Sequence, residues 1–162
     1  MIIKDGIENE TCEASFLMIG QSNMAGRGDI NDVYPIKNPL CNMLRNGRWQ
    51  PMTEPINPDR SIFSGKYRSG ISLAASFADS YAKKYNEKVG LIPCADGGTR
   101  IEEWMPGELL FDNAVYQTKL AMRTSTLKGI LWHQGESNCY EGANADAYKE
   151  KLATGNVDRH CA

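Results

Sequence analysis

The chain has 162 residues, 41% of them apolar, and its 20 acidic and 18 basic side chains leave a formal net charge of −2. That length and apolar fraction suit one domain with one core, and the near balance of charge, without a basic stripe, excludes a nucleic-acid-type polyanion as partner. No apolar stretch approaches the ~20 residues of a membrane span, and Met1-Ile2-Ile3-Lys4-Asp5-Gly6 opens no secretory signal, so a soluble cytoplasmic protein is expected.

The first apolar run, Ser15 to Ile19, is followed by Gly20-Gln21-Ser22-Asn23-Met24. A run this short without alternation suits a strand covered on both faces, as in a parallel sheet. A glycine turn at its end presents the next side chains at the sheet's carboxyl edge, where open α/β sheets bind ligands. Ser22 is thereby a candidate nucleophile, and its bland alternative is a serine that caps the following helix. Met24 stands where the Gly-x-Ser-x-Gly elbow needs its second glycine, so a different serine-esterase geometry is implied.

From Asp29 to Ser69 the chain carries Pro35, Pro39, Pro51, Pro55 and Pro58 with several Gly and Asn, and reads as a long irregular loop. Between Ile71 and Tyr85, Leu73, Ala74, Phe77, Ala78, Tyr81, Ala82 and Tyr85 recur at helical spacing with polar residues between them, which predicts an amphipathic helix. Val89 to Cys94 is a second strand, ending in Ala95-Asp96-Gly97-Gly98-Thr99-Arg100. A weaker helical pattern covers about Phe111 to Met122, and Gly129 to His133 is a third strand leading into Gln134-Gly135-Glu136-Ser137-Asn138. A last helix begins near Asn144 and is interrupted at Ala153-Thr154-Gly155-Asn156; the tail 157–162 fits neither helix nor strand. Strands alternating with helices predict βαβ units with right-handed crossovers.

If the three strands are parallel, their carboxyl ends bring three loops together, starting at Ser22, Ala95 and Gln134. Acyl transfer needs a hydroxyl, donors aimed at the developing oxyanion, and a base in reach of the hydroxyl. Ser22 supplies the first. Its own N–H, the N–H of Gly98 and the amide of Gln134 are candidate donors, the bland alternative for Gly97 and Gly98 being a strand-ending turn that uses positive φ. Cys12, Cys41, Cys94, Cys139 and Cys161 follow no metal-ligand spacing and are expected to be unpaired thiols. With no His-Glu-x-x-His spacing either, no metal and no cofactor is expected.

Gly20-Gln21-Ser22-Asn23-Met24-Ala25-Gly26, Gly97-Gly98-Thr99 with Ile101-Glu102-Glu103-Trp104, and Trp132-His133-Gln134-Gly135-Glu136-Ser137-Asn138 together resemble the sialate O-acetylesterase and acetylxylan-esterase branch of the SGNH hydrolases. The likeness runs from about residue 14 to 152. It implies a flavodoxin-like three-layer α/β/α sandwich with a parallel sheet, and metal-free hydrolysis of acetyl esters of sugars, sialic acid or xylan type, through an acetyl-enzyme. It maps the nucleophile onto Ser22, oxyanion donors onto Ser22, Gly98 and Gln134, and supporting parts onto Gln21, Asn23, Gly97 and Glu136. It also places Trp49 and Trp104 near the pocket mouth, although core packing is the commoner use of such residues.

In SGNH enzymes the base is a histidine in a late Asp-x-x-His block, and this sequence has none. The nearest match is Asp158-Arg159-His160, one residue short, with His133 at a strand end as the other histidine. The base is therefore His160, with Asp158 beside it, or His133, or absent. A sheet of three strands is small for this architecture. The reading is a single esterase domain over residues 1–162, truncated at its C-terminal end with an atypical tail from 153, and the alternative function is an inactive fragment that keeps part of a sugar-binding cleft.

Overall fold

The computed structural model describes residues 10–58, 68–139 and 142–155. Its centre is strand β1 (Cys12–Gly20), whose apolar run is uninterrupted because both faces are covered. Ala14, Phe16 and Met18 pack on one side of the sheet and Leu17 and Ile19 on the other, the period of two that a strand imposes. After the short helix α1 (Ser22–Ala25) the chain crosses the sheet region to form a hairpin, β2 (Cys41–Arg45) and β3 (Arg48–Pro51). Helix α2 (Leu73–Tyr85), strand β4 (Val89–Pro93), helix α3 (Leu109–Ala121), strand β5 (Ser125–His133) and helix α4 (Gly142–Thr154) follow.

The five strands lie in the order β3-β2-β4-β1-β5. β1 runs parallel to β4, with Phe16 opposite Leu91, and parallel to β5, with Gly20 opposite His133. β2 is parallel to β4, and β3 closes the edge antiparallel to β2. The sheet is therefore larger than the three strands expected from the apolar runs. The segment read as irregular between Asp29 and Ser69 contains the missing pair. Proline density concealed it, but Asn46 and Gly47 have φ of 52° and 72°, the two positive values that a type I′ hairpin turn requires. An Asn-Gly pair next to Cys41-Asn42-Met43-Leu44 is a signal the sequence carried.

One core lies between the sheet and α2, where Phe16 meets the rings of Phe77 and Tyr81 edge-on at centroid distances of 4.8 and 4.9 Å. The other lies between the sheet and α3 and holds Leu17, Ile19, Ile92, Leu110, Phe111 and Ala114. Helices on both faces of a mostly parallel sheet make the three-layer α/β/α sandwich. Ser72 caps α2 by accepting the N–H of Ala74, and Asn86 ends the helix in the left-handed region at φ 53°. Trp49 and Trp104 are core residues, 6% and 2% exposed. The Trp49 ring lies flat against Gly90, where a Cβ would approach it to 2.4 Å, and its indole N–H donates to Thr124 Oγ1 at 3.0 Å.

Candidate active site

The site starts at the end of β1. Gly20 has φ +134°, and a Cβ there would stand 2.1 Å from the carbonyl oxygen of His133, so only glycine lets β1 and β5 remain paired to their last residue. The next N–H, of Gln21, donates to that same carbonyl at 2.9 Å. This closure turns the chain out of the sheet, buries Gln21, and makes Ser22 the half-exposed first residue of α1. Ser22 is not a cap: its hydroxyl makes no hydrogen bond among the described residues, and neither does its backbone N–H.

The loop after β4 is fastened to the same corner. Asp96 N–H donates to the carbonyl of Gly20 at 3.0 Å, and Gly97 lies beside Ser22, whose Cβ is 3.6 Å from the point a Gly97 Cβ would occupy. Gly98 follows at φ +79° with open space on its outer side and no described partner for its N–H. Asn57 braces this loop from beneath, giving its amide to the Ala95 carbonyl at 2.9 Å and accepting the Ala95 N–H at 3.0 Å. Sequence reasoning passed over Asn57 because it sits in the proline-rich stretch, where only the fold gives it a partner.

The loop after β5 completes the convergence. Gln134 is buried and directs its amide nitrogen to the Thr99 carbonyl, 3.0 Å, and to Asn138 Oδ1, 2.8 Å. Both of its amide hydrogens are engaged there. Glu136 reaches back across the corner and accepts from Asn23 Nδ2 at 2.6 Å. Gln21 takes the amide orientation in which its nitrogen donates to Glu136 Oε2 at 3.2 Å and to the Thr99 carbonyl at 3.1 Å, since the opposite one sets oxygen against oxygen. One carboxylate thus holds the residues on either side of Ser22.

Behind these loops stands a second set of contacts that sequence patterns did not reveal. Tyr148 on α4 places its hydroxyl 2.7 Å from both acceptors of Gln134, the backbone carbonyl and Oε1, and accepts from Trp132 Nε1 at 3.1 Å. Asn138 accepts the N–H of Ile101 and donates to Glu102, which is ion-paired with Lys151 of α4 at 2.5 Å. The Lys151 contact holds the Glu102 carboxyl down at about 2. Trp104 ties in through its indole N–H, which donates to Thr99 Oγ1 at 3.0 Å.

His133 ends β5 with its side chain exposed, and no hydrogen bond joins it to Ser22. Asp158 and His160 lie outside the described residues. Burial pushes the Cys94 thiol at the end of β4 up to about 12, a protonated group rather than a nucleophile. Among the described residues no group of three or more His, Cys, Asp or Glu is arranged to hold a metal ion, and no helix is long and apolar enough to cross a membrane.

Comparison with known proteins finds the same architecture. A probable carbohydrate esterase of Arabidopsis thaliana is 32% identical in an alignment 156 positions long that covers 85% of this chain and 59% of that protein. The chain therefore spans well under two thirds of that relative's length. The solved structure of that Arabidopsis protein superposes with a TM-score of 0.80 at 26% identity, covering 93% of this chain and 68% of the other. NanS, with a TM-score of 0.64 at 15% identity over 91% and 64% of the two chains, shares the fold. So does a carbohydrate acetylesterase from Xanthomonas citri, with a TM-score of 0.55 at 20% identity over 88% and 36%. Residues 13–156 match the family described as carbohydrate esterase, sialic acid-specific acetylesterase, and this chain belongs to that family.

Proposed function

We propose that this chain carries the nucleophile and oxyanion site of a serine O-acetylesterase acting on acetylated sugars. The observation that carries the reading is a hydroxyl with no structural task, on Ser22, beside two backbone N–H groups without described partners, on Ser22 and Gly98. In the reaction, Ser22 Oγ adds to the acetyl carbonyl and gives its proton to a base. The oxyanion is received by the N–H groups of Ser22 and Gly98. Collapse releases the sugar hydroxyl, which takes back the proton, and water then frees acetate from the acetyl-enzyme. Gln134 acts by fixing the Thr99 carbonyl behind Gly98, and it becomes a third donor only if one of its amide hydrogens is released. Gln21, Asn23, Gly97 and Glu136 hold the corner in shape.

The candidates for the base remain His133, His160 with Asp158 beside it in sequence, or none in this chain. Acetylated sialic acid and acetylated xylan units are the candidate substrates, and the buried thiols fit a reducing, cytoplasmic setting. The alternative, a partial cleft without catalysis, is favoured by one fact: no described residue hydrogen-bonds to Ser22 Oγ. The test is acetate release from O-acetyl sialic acid and from acetylated xylo-oligosaccharides by the 162-residue chain and its Ser22→Ala variant. Release that disappears in the variant supports the esterase; equal rates in both overturn it.

A further inference from the structure

The guanidinium of Arg27 lies against the nucleophile corner and has no carboxylate partner among the described residues. Its backbone is fixed on both sides. Gly26 accepts the N–H of Gly70 at 3.2 Å, and Gly28 exchanges hydrogen bonds of 3.2 and 2.9 Å with Ile71 in an isolated antiparallel bridge. The side chain folds back so that Nη1 donates to the Gly26 carbonyl at 2.7 Å. Nη2 is then 2.4 Å from the point where a Gly97 Cβ would stand, and Ser22 Cβ is 3.6 Å from the same point. The absent Gly97 side chain is what lets the cation and the serine be neighbours.

Acids of this corner are engaged elsewhere, the buried Asp96 before Gly97 included. Glu136 serves Asn23 and Gln21, while Glu102 serves Lys151 and Asn138. Arg27 is exposed and, among the described residues, forms no ion pair and makes no hydrogen bond besides the one to Gly26. A guanidinium tethered through Nη1, with no described partner at Nη2, can bind a planar anion through two parallel hydrogen bonds. A neutral sugar would leave that edge to water.

We infer that Arg27 selects sugars that carry a carboxylate, docking the acid group beside Ser22 so that an acetyl ester on the same sugar meets the nucleophile. This rests on the site proposed above, but its test does not need catalysis. Isotope-labelled 162-residue chain is titrated by NMR with the methyl glycosides of glucuronic acid, N-acetylneuraminic acid and glucose, none of them acetylated. The expected result is saturable shifts of the Gly97 and Gly98 amides with at least one of the acids and none with the glucoside. Which acid binds tells a hexuronate from a sialate.

In Arg27→Gln the affinity for the acid falls about tenfold or more, and Arg27→Lys recovers part of it as a point charge without the fork. Rising salt weakens the acid complex in the wild type and has less effect on the Gln variant. Equal binding of acid and glucoside, binding of none of the three, or an acid preference that survives Arg27→Gln each overturns the inference. A well-dispersed spectrum of the Gln variant shows that the fold is kept. Loss of Ser22-dependent acetate release would instead remove the esterase reading and leave this result standing.

Discussion

Gly20 and Gly98 are two of the positive-φ glycines at the proposed site, and replacing each by alanine separates backbone closure from chemistry. At Gly20, φ +134° is a region other residues rarely enter, which costs on the order of 1–3 kcal/mol. The new Cβ also meets the His133 carbonyl oxygen at 2.1 Å and its carbon at 2.6 Å. These are backbone atoms in the β1–β5 ladder and cannot rotate away, so overpacking adds about 1–3 kcal/mol. Gly20→Ala should therefore destabilise by about 4 kcal/mol in all. At Gly98, φ is +79° and nothing lies within 4 Å of the Cβ position, so Gly98→Ala carries only the left-handed strain of about 1–2 kcal/mol.

With a urea slope of about 2 kcal/mol/M, the unfolding midpoint falls by about 2 M in the first variant and by about 0.5–1 M in the second. Urea unfolding followed by circular dichroism and by tryptophan fluorescence measures both. Midpoint losses of similar size would show that the His133 carbonyl yields easily, and the account of why Gly20 precedes Ser22 would fail. If the esterase reading holds, Gly98→Ala loses activity while it keeps most of its stability, because a shift of its N–H disturbs the oxyanion site and nothing else.

Other measurements probe the supporting structure. The Glu102 carboxyl is lowered from an ordinary 4.5 to about 2, so its pairing with Lys151 stabilises fully above pH 4.5 and is lost as pH falls from there toward 2. Both groups are partly exposed, so the effect is about 1 kcal/mol or less, and Glu102→Gln should flatten that part of the stability–pH curve; identical curves would contradict the link. Tyr148→Phe removes an acceptor from Trp132 and a donor from Gln134 and should cost about 1–2 kcal/mol in thermal or urea unfolding. Burial raises the thiols of Cys12 and Cys94 to about 12 and of Cys41 to about 11, whereas Cys139 is exposed. Iodoacetamide at neutral pH followed by peptide mass spectrometry should mark Cys139 in the folded chain and reach Cys12, Cys41 and Cys94 only after denaturant is added.

The ends of β1, β4 and β5, and the helices between them, were legible in the sequence because each depends on local pattern. An apolar run covered on both faces needs no alternation, which describes β1 and β4. β5, expected to be covered likewise, is an edge strand and none of its residues is fully buried. α2 announces itself by its spacing and by Ser72 before it. The three loop motifs were legible for the same reason, as each directly follows its strand. The β2–β3 hairpin was also written locally, in Asn46-Gly47, but lay hidden among prolines.

What tertiary structure alone decided is which groups meet. Gly20 requires its conformation because His133, far along the chain, pairs opposite it. Asn57 matters through Ala95, and Tyr148 and Lys151 matter through Gln134 and Glu102. Arg27 stands beside Ser22 because Gly97 leaves room for it. None of these partners lies at a helical or strand spacing from the other, so no periodicity can report them. Hydrogen bonds and charges act over a few ångströms in space, and it is the parallel order of the strands that brings residues 20–27, 95–102 and 133–138 within that range.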